Sequence, residues 1–189
     1  MTENNQLIRD LKLGITTGDY KVELDISNLV NKWYFIFNKK RKIIKYLFEK
    51  GAILTGSRAL KCYKINNNFI LNRNPNDWDF ILSKNQFIQL CKDYNIYDFD
   101  LESNRYYLNK SFATFYDGYG GSTHLLPCKI QLIIQDELPQ FIQKDSKKFA
   151  SLTSIIESKI ELSKSCKYEK ERNKHKKDLN NIIVNTYFL

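Results

Sequence analysis

Four residues in one stretch of this chain could do chemistry together. Gly56 and Ser57 lie in Leu54-Thr55-Gly56-Ser57-Arg58-Ala59-Leu60, and Asp77 and Asp79 follow in Asn76-Asp77-Trp78-Asp79-Phe80. Positions i and i+2 of a strand face the same side. Two carboxylates there repel unless a cation sits between them or one is protonated. The bland alternative is a turn with two solvated carboxylates. A Gly-Ser turn into a helix adds free backbone N–H groups that can meet a phosphate. A phosphate cradle beside paired carboxylates is what a metal-dependent phosphoryl or nucleotidyl transfer site needs.

These residues need elements to hold them. Ala52–Thr55 reads as a short buried strand, and Gly56-Ser57 turns it into a helix reaching about Tyr63. Residues 65–76 read as a polar, Asn-rich loop. Asp77–Leu82 is the next strand, and Ser83 caps a helix running to about Asp93. Upstream, Leu11–Leu24 could form a hairpin around Thr16-Thr17-Gly18-Asp19. Ser27 or Asn28 can cap a helix whose apolar face is Leu29, Val30, Trp33, Tyr34, Phe37, Ile44, Leu47 and Phe48, with Gly51 at its end. Downstream, Tyr97–Leu101, Phe112–Tyr116 and Lys129–Ile134 are strand candidates, and Asp117–Ser122 is a turn-rich loop. From Leu138 the pattern is helical: Phe149, Leu152, Ile155, Ile156, Ile160 and Leu162 share one helix face, and Leu179, Ile182, Ile183, Tyr187 and Phe188 another. The expectation is an α+β fold, a mixed sheet flanked by helices with a C-terminal helical segment. The division expected is a core over 1–137 and a helical segment over 138–189 packed on it.

Charge and cysteine bound the function further. The 189 residues carry a net charge of +9 and a pI near 9.3, which suits a polyanionic partner. An AT-rich coding sequence, rich in Asn, Lys, Ile and Tyr, gives the same bias. Basic residues gather over Lys39–Lys45 and again at Lys164, Lys167, Lys170, Arg172, Lys174, Lys176 and Lys177. Each run reads either as a nucleic-acid face or as a solvated surface. Tyr106, Tyr107, Tyr116 and Tyr119 could stack bases or fill a core. Cys62, Cys91, Cys128 and Cys166 form no C-x-x-C pair, and His124 and His175 complete no zinc spacing. Free thiols in a reducing compartment are expected. Met1–Asp10 lacks an apolar signal core, and no run approaches the roughly 20 apolar residues of a membrane span. The expectation is a cytoplasmic protein without a membrane partner.

The motifs resemble those of the nucleotidyltransferase superfamily, the fold shared with DNA polymerase β, whose small members carry a form like G-S-R-A…S-D-x-D-h. Residues 50–85 carry the likeness, and Lys174-His175-Lys176-Lys177-Asp178-Leu179 is similar to a K-D segment in the last helix of several members. The resemblance implies that Gly56 and Ser57 meet the phosphates of an NTP, ATP included, and that Asp77 and Asp79 hold one or two Mg²⁺ ions. Arg58 is near enough to reach a phosphate, or to serve as a surface ion-pair partner. The implied activity is transfer of a nucleoside monophosphate to an acceptor hydroxyl, with RNA such as a tRNA end as one acceptor.

Three departures matter. The interval from Ser57 to Asp77 is long for the family, and Trp78 stands where an aliphatic residue is usual. The third carboxylate of active members is replaced, on the best-aligned strand, by Gln131. An amide oxygen can ligate Mg²⁺ but cannot act as a base near neutral pH. Asp98, Asp100, Glu102 and Asp136 are the other acids that could supply one. A site that binds nucleotide or RNA without transfer, or serves as a subunit, is the alternative these residues leave open.

Overall fold

A computed structural model describes residues 22–29, 38–71, 73–93 and 130–187, with the strand residues 99–100, 105–106, 113–117 and 122–126. The fold is α+β. Residues group into two compact units, one over 31–58 and 75–150, the other over 1–30, 59–74 and 151–189. The two units are interleaved along the chain.

The first unit is built on strands β2 (Ile53–Thr55), β5 (Trp78–Leu82), β8 (Ala113–Asp117), β9 (Ser122–Leu126), β10 (Ile130–Ile134), β11 (Phe141–Lys144) and β12 (Lys147–Ala150). They form one sheet in the order β11-β12-β2-β5-β10-β9-β8. β2 runs antiparallel to β5, while β5 and β10 are parallel. The central strands bury one apolar face, while Asp79 and Gln131 on the other face stay half-buried. Ile53, Leu54, Phe80, Ile130 and Leu132 are all fully buried.

Helix α1 (Asn38–Glu49) places Ile43, Ile44, Leu47 and Phe48 in the core. The Phe48 ring meets Phe80 edge-on at 5.2 Å and Phe149 at 6.3 Å. Gly51 ends α1 at φ +75°, a value that favours a residue without a Cβ. The amides of Gly51 and Ala52 close the turn on the carbonyls of Phe48 and Leu47. Helix α2 (Gly56–Leu60) follows β2 directly, and α3 (Lys84–Asp93) follows β5. Ser83 caps α3 as expected. Gln86 N–H donates to Ser83 Oγ at 3.2 Å, and Ser83 N–H donates to Gln86 Oε1 at 2.8 Å, a reciprocal capping box.

The second unit holds a sheet of β1 (Val22–Leu24), β3 (Tyr63–Ile65) and β4 (Asn68–Phe69), together with α4 (Leu152–Ser165) and α5 (Glu169–Tyr187). Ser151 caps α4 by accepting from Ser154 N–H at 3.2 Å. The remaining strands, β6 (Phe99–Asp100) and β7 (Arg105–Tyr106), pair with each other.

Several expectations are corrected. The loop expected over 65–76 begins with a hairpin, β3–β4, whose turn residues Asn66 and Asn67 have φ of 50° and 68°. Asn tolerates this left-handed backbone, so the Asn-rich stretch is turn chemistry rather than loop filler. The helical pattern expected from Leu138 starts only at Leu152. Residues 141–150 form the β11–β12 hairpin, turned by Asp145 and Ser146 at φ 46° and 61°. Phe149 is thus a strand residue. β9 falls where only a loop and a gap were expected. The hairpin proposed around Thr16–Asp19 and residues 30–37 of the first expected helix lie outside the described residues.

Candidate functional site

The Gly-Ser and Asp-x-Asp motifs come together because β2 and β5 are antiparallel neighbours. Thr55 pairs with Asp79, so the residue that leaves β2, Gly56, lies beside the Asp79 side chain. Gly56 has φ +64°. A Cβ built on it would lie 2.0 Å from Asp79 Oδ2 and 2.8 Å from Asp79 Cγ. The space that glycine leaves open is therefore filled by the Asp79 carboxylate. The sequence reading assigned that space to a triphosphate.

Asp79 makes polar contacts of its own, and one of its oxygens, Oδ1, is buried without a hydrogen-bond donor. Asp77 lies just before β5 and is half-buried, like Asp79. Trp78 between them is 1% exposed and its ring stacks on Phe80 at 6.1 Å. It faces the core, as expected for the residue between two that share the other side.

Gln131 stands directly across from Asp79 in the parallel β5–β10 register and is half-buried. The expected third-acid position is thus beside Asp79 and carries an amide. The row continues to β9, where His124 pairs with Gln131 along the backbone. Sequence reading missed that row because β9 itself was not recognised. Of the other acids considered, Asp136 is exposed beyond the C-terminal end of β10, five residues from Gln131 and so about 16 Å along an extended chain. Asp100 belongs to β6, outside the seven-stranded sheet. Asp98 and Glu102 lie outside the described residues. Among the described residues, no three His, Cys, Asp or Glu side chains cluster closely enough to share a metal.

Ser57 and Arg58 are buried, at 5% and 4% exposure. Arg58 turns inward. Its Nε donates to the Asp77 carbonyl at 3.0 Å, and its Nη2 donates to the Pro75 carbonyl at 2.6 Å. The guanidinium carbon lies 4.3 Å from the centre of the Trp78 ring. The guanidinium is thus buried and bonded to main-chain carbonyls rather than exposed at the surface.

The donor set of Asp77, Asp79 and the Gln131 amide is all hard oxygen, the kind that Mg²⁺ prefers. An ion that retains several waters needs few protein ligands.

A protein family described as a domain of unknown function (DUF7277) matches residues 52–121. That span contains Gly56, Ser57, Arg58, Asp77 and Asp79, and it ends before Gln131. No curated protein and no solved structure matches the chain.

A second polar cluster was only partly visible in the sequence. Asp178, 1% exposed, accepts from Lys159 Nζ at 2.7 Å and from Arg73 Nη2 at 2.9 Å. Lys159 is 3% exposed. Burial pushes the Asp178 carboxyl up, but the Arg73 hydrogen bond and the Lys159 charge outweigh it and hold it below the ordinary value. Burial lowers the Lys159 ammonium, against the attraction of Asp178. His175 has its Nδ1 buried with no hydrogen-bond partner, and burial followed by the Lys159 charge brings its pKa down to about 4. Asp178 lies in the stretch likened to a family K-D segment, yet Lys159 and Arg73 gave no signal. Each is one more cation in a lysine-rich chain.

Cys62, Cys91 and Cys166 are free thiols, and burial pushes Cys91 up to about 12. Cys128, Tyr107 and Tyr119 lie outside the described residues. Among the described residues, no helix is long and apolar enough to cross a membrane.

Proposed function

We propose that this chain is a nucleotidyltransferase-like protein that binds a Mg²⁺–nucleoside triphosphate at Asp77 and Asp79 and moves the nucleoside monophosphate to an acceptor hydroxyl, such as one on RNA. The observation that carries this reading is the seating of the Asp79 carboxylate against Gly56. Two motifs some twenty residues apart in the chain meet at one point. Mg²⁺ there would neutralise triphosphate charge and orient the α-phosphate. Asp77 and Asp79 would supply carboxylate oxygens and Gln131 an amide oxygen.

The test is labelling of an RNA acceptor from radiolabelled NTP with Mg²⁺. Wild-type protein should label it, and Asp77→Ala with Asp79→Ala should reduce labelling at least 100-fold. Equal labelling by the double variant removes the assignment.

Gln131 favours a second reading, in which the site binds Mg²⁺–NTP without transfer. Mg²⁺–NTP at about 100 times its Kd should then raise unfolding stability by about 2.7 kcal/mol without any product. Gln131→Asp, which restores an acid in register with Asp79, should introduce labelling. A wild-type chain that already turns over excludes this second reading.

A further inference from the structure

We propose that Arg58 is a positioning residue that fixes the main chain at Asp77 for metal binding, and that it contacts no phosphate. The inference rests on the proposed metal role of Asp77 and Asp79. Asp79 is held by the β5 ladder, whereas Asp77 lies outside it, in the irregular segment 75–77. Left alone, Asn76 and Asp77 have two soft dihedrals each, and Pro75 keeps only ψ. Arg58 removes this freedom. One planar guanidinium bonds the carbonyls of residues 75 and 77, fixing the 75–76 and 77–78 peptide planes that flank the pair Asn76–Asp77. The Trp78 ring backs the same guanidinium, and Trp78 is itself locked against Phe80. The clasp therefore ties the loop before β5 to the helix after β2.

Burial decides between clasp and phosphate ligand. At 4% exposure, with Nε and Nη2 committed to carbonyls, Arg58 cannot swing out to a ligand without breaking both bonds and leaving the buried Pro75 carbonyl and the half-buried Asp77 carbonyl without their donor. Lysine cannot substitute, because an ammonium has no planar fork to span two carbonyls and lie flat on an indole.

The test separates metal from phosphate by using Mn²⁺ alone, followed by electron paramagnetic resonance without nucleotide. Supporting partners of metal ligands typically change affinity by 10–100-fold when removed. Arg58→Lys and Arg58→Ala should weaken Mn²⁺ binding by at least about 10-fold. Ile156→Ala, which trims the core beside α4, should lose stability yet keep wild-type Mn²⁺ affinity; this separates positioning from general destabilisation. Unchanged Mn²⁺ affinity with weakened nucleotide binding in Arg58→Lys would make Arg58 a phosphate ligand and overturn the proposal.

Amide hydrogen exchange at Asn76, Asp77 and Trp78 gives a readout independent of metal. It should accelerate in Arg58→Lys, and unchanged exchange overturns the clasp. If wild type binds no Mn²⁺, or Asp77→Ala and Asp79→Ala bind it equally well, the metal reading fails, and with it the role of Arg58 in metal binding. The exchange result then still decides whether the clasp exists.

Discussion

A methyl group at residue 56 would meet Asp79 Oδ2 at 2.0 Å, on a backbone with φ of +64°. Both effects act against Gly56→Ala. The left-handed backbone costs an L-residue about 1–2 kcal/mol, and displacing the carboxylate adds to that. Denaturant unfolding should therefore show Gly56→Ala losing more than about 2 kcal/mol. The double variant Gly56→Ala/Asp79→Ala should relieve the clash with the carboxylate and leave the backbone strain of about 1–2 kcal/mol, with some crowding by the residue 79 Cβ, 3.1 Å away. If the single and double variants are equally unstable, the carboxylate is not what glycine accommodates. At this scale the sequence named the residues that the β2–β5 register brings together, but not their directions. Glycine before a helix reads equally well as room for a phosphate or for a neighbouring side chain, and only the β2–β5 register distinguishes them. Arg58 was likewise ambiguous, because an arginine within sequence reach of phosphates says nothing about which carbonyls its fork will meet.

Helices α4 and α5, with the segment carrying Arg73, enclose Asp178, Lys159 and His175, and their charge balance makes stability depend on pH. Lys159 and Lys174 disfavour the protonated imidazole, Asp178 and Glu171 favour it, and burial is the largest effect. The His175 pKa is about 4 when folded, against an ordinary value near 6.5. The unfolded chain therefore takes up the proton first. Stability from this group is complete above about pH 6.5, falls as pH drops towards 4, and is flat below that. Discounted for partial exposure, the loss is about 1–2 kcal/mol, or roughly 2–8 °C in Tm. His175→Gln should flatten the Tm profile between pH 6.5 and 4.5. An unchanged slope would assign it elsewhere. Below this window Asp178 adds a further loss, since its folded carboxyl lies under the ordinary range. Elements with strong local signals were legible: β2, β5, the Ser83-capped α3 and the α5 apolar face. The β11–β12 hairpin was not, because Phe149, Leu152 and Ile156 keep helical spacing by accident across a strand end. The β9 strand was hidden behind a glycine-rich turn. The Arg73–Asp178 pair spans 105 residues, beyond any local pattern.

At the scale of the whole chain, the net charge of +9 is either a compositional bias or a binding surface, and the basic run over α4 and α5 allows the two to be separated. Its seven cations are not equivalent. Arg172 donates to the carbonyls of Cys166 and Lys167, which fixes the turn between the helices, and Lys174 pairs with Glu171 at 3.4 Å. Lys164, Lys167, Lys170, Lys176 and Lys177 are exposed. If these five neutralise five phosphates of single-stranded RNA, log Kobs against log salt should have a slope of about −3.5, from about −0.7 per phosphate. Changing all five to Gln should bring the slope near zero and weaken binding at low salt, with Tm close to wild type because exposed side chains contribute little to stability. Arg172→Gln should instead lower Tm, by releasing the carbonyls that it caps. A five-Gln variant that keeps the wild-type slope would clear this run of any role in RNA contact. The exposed Lys42 and Lys45 of α1 would then be the surface to neutralise next. Absence of salt-dependent binding in the wild type would leave the charge as composition alone, and a small-molecule or protein hydroxyl would replace RNA as the acceptor to test.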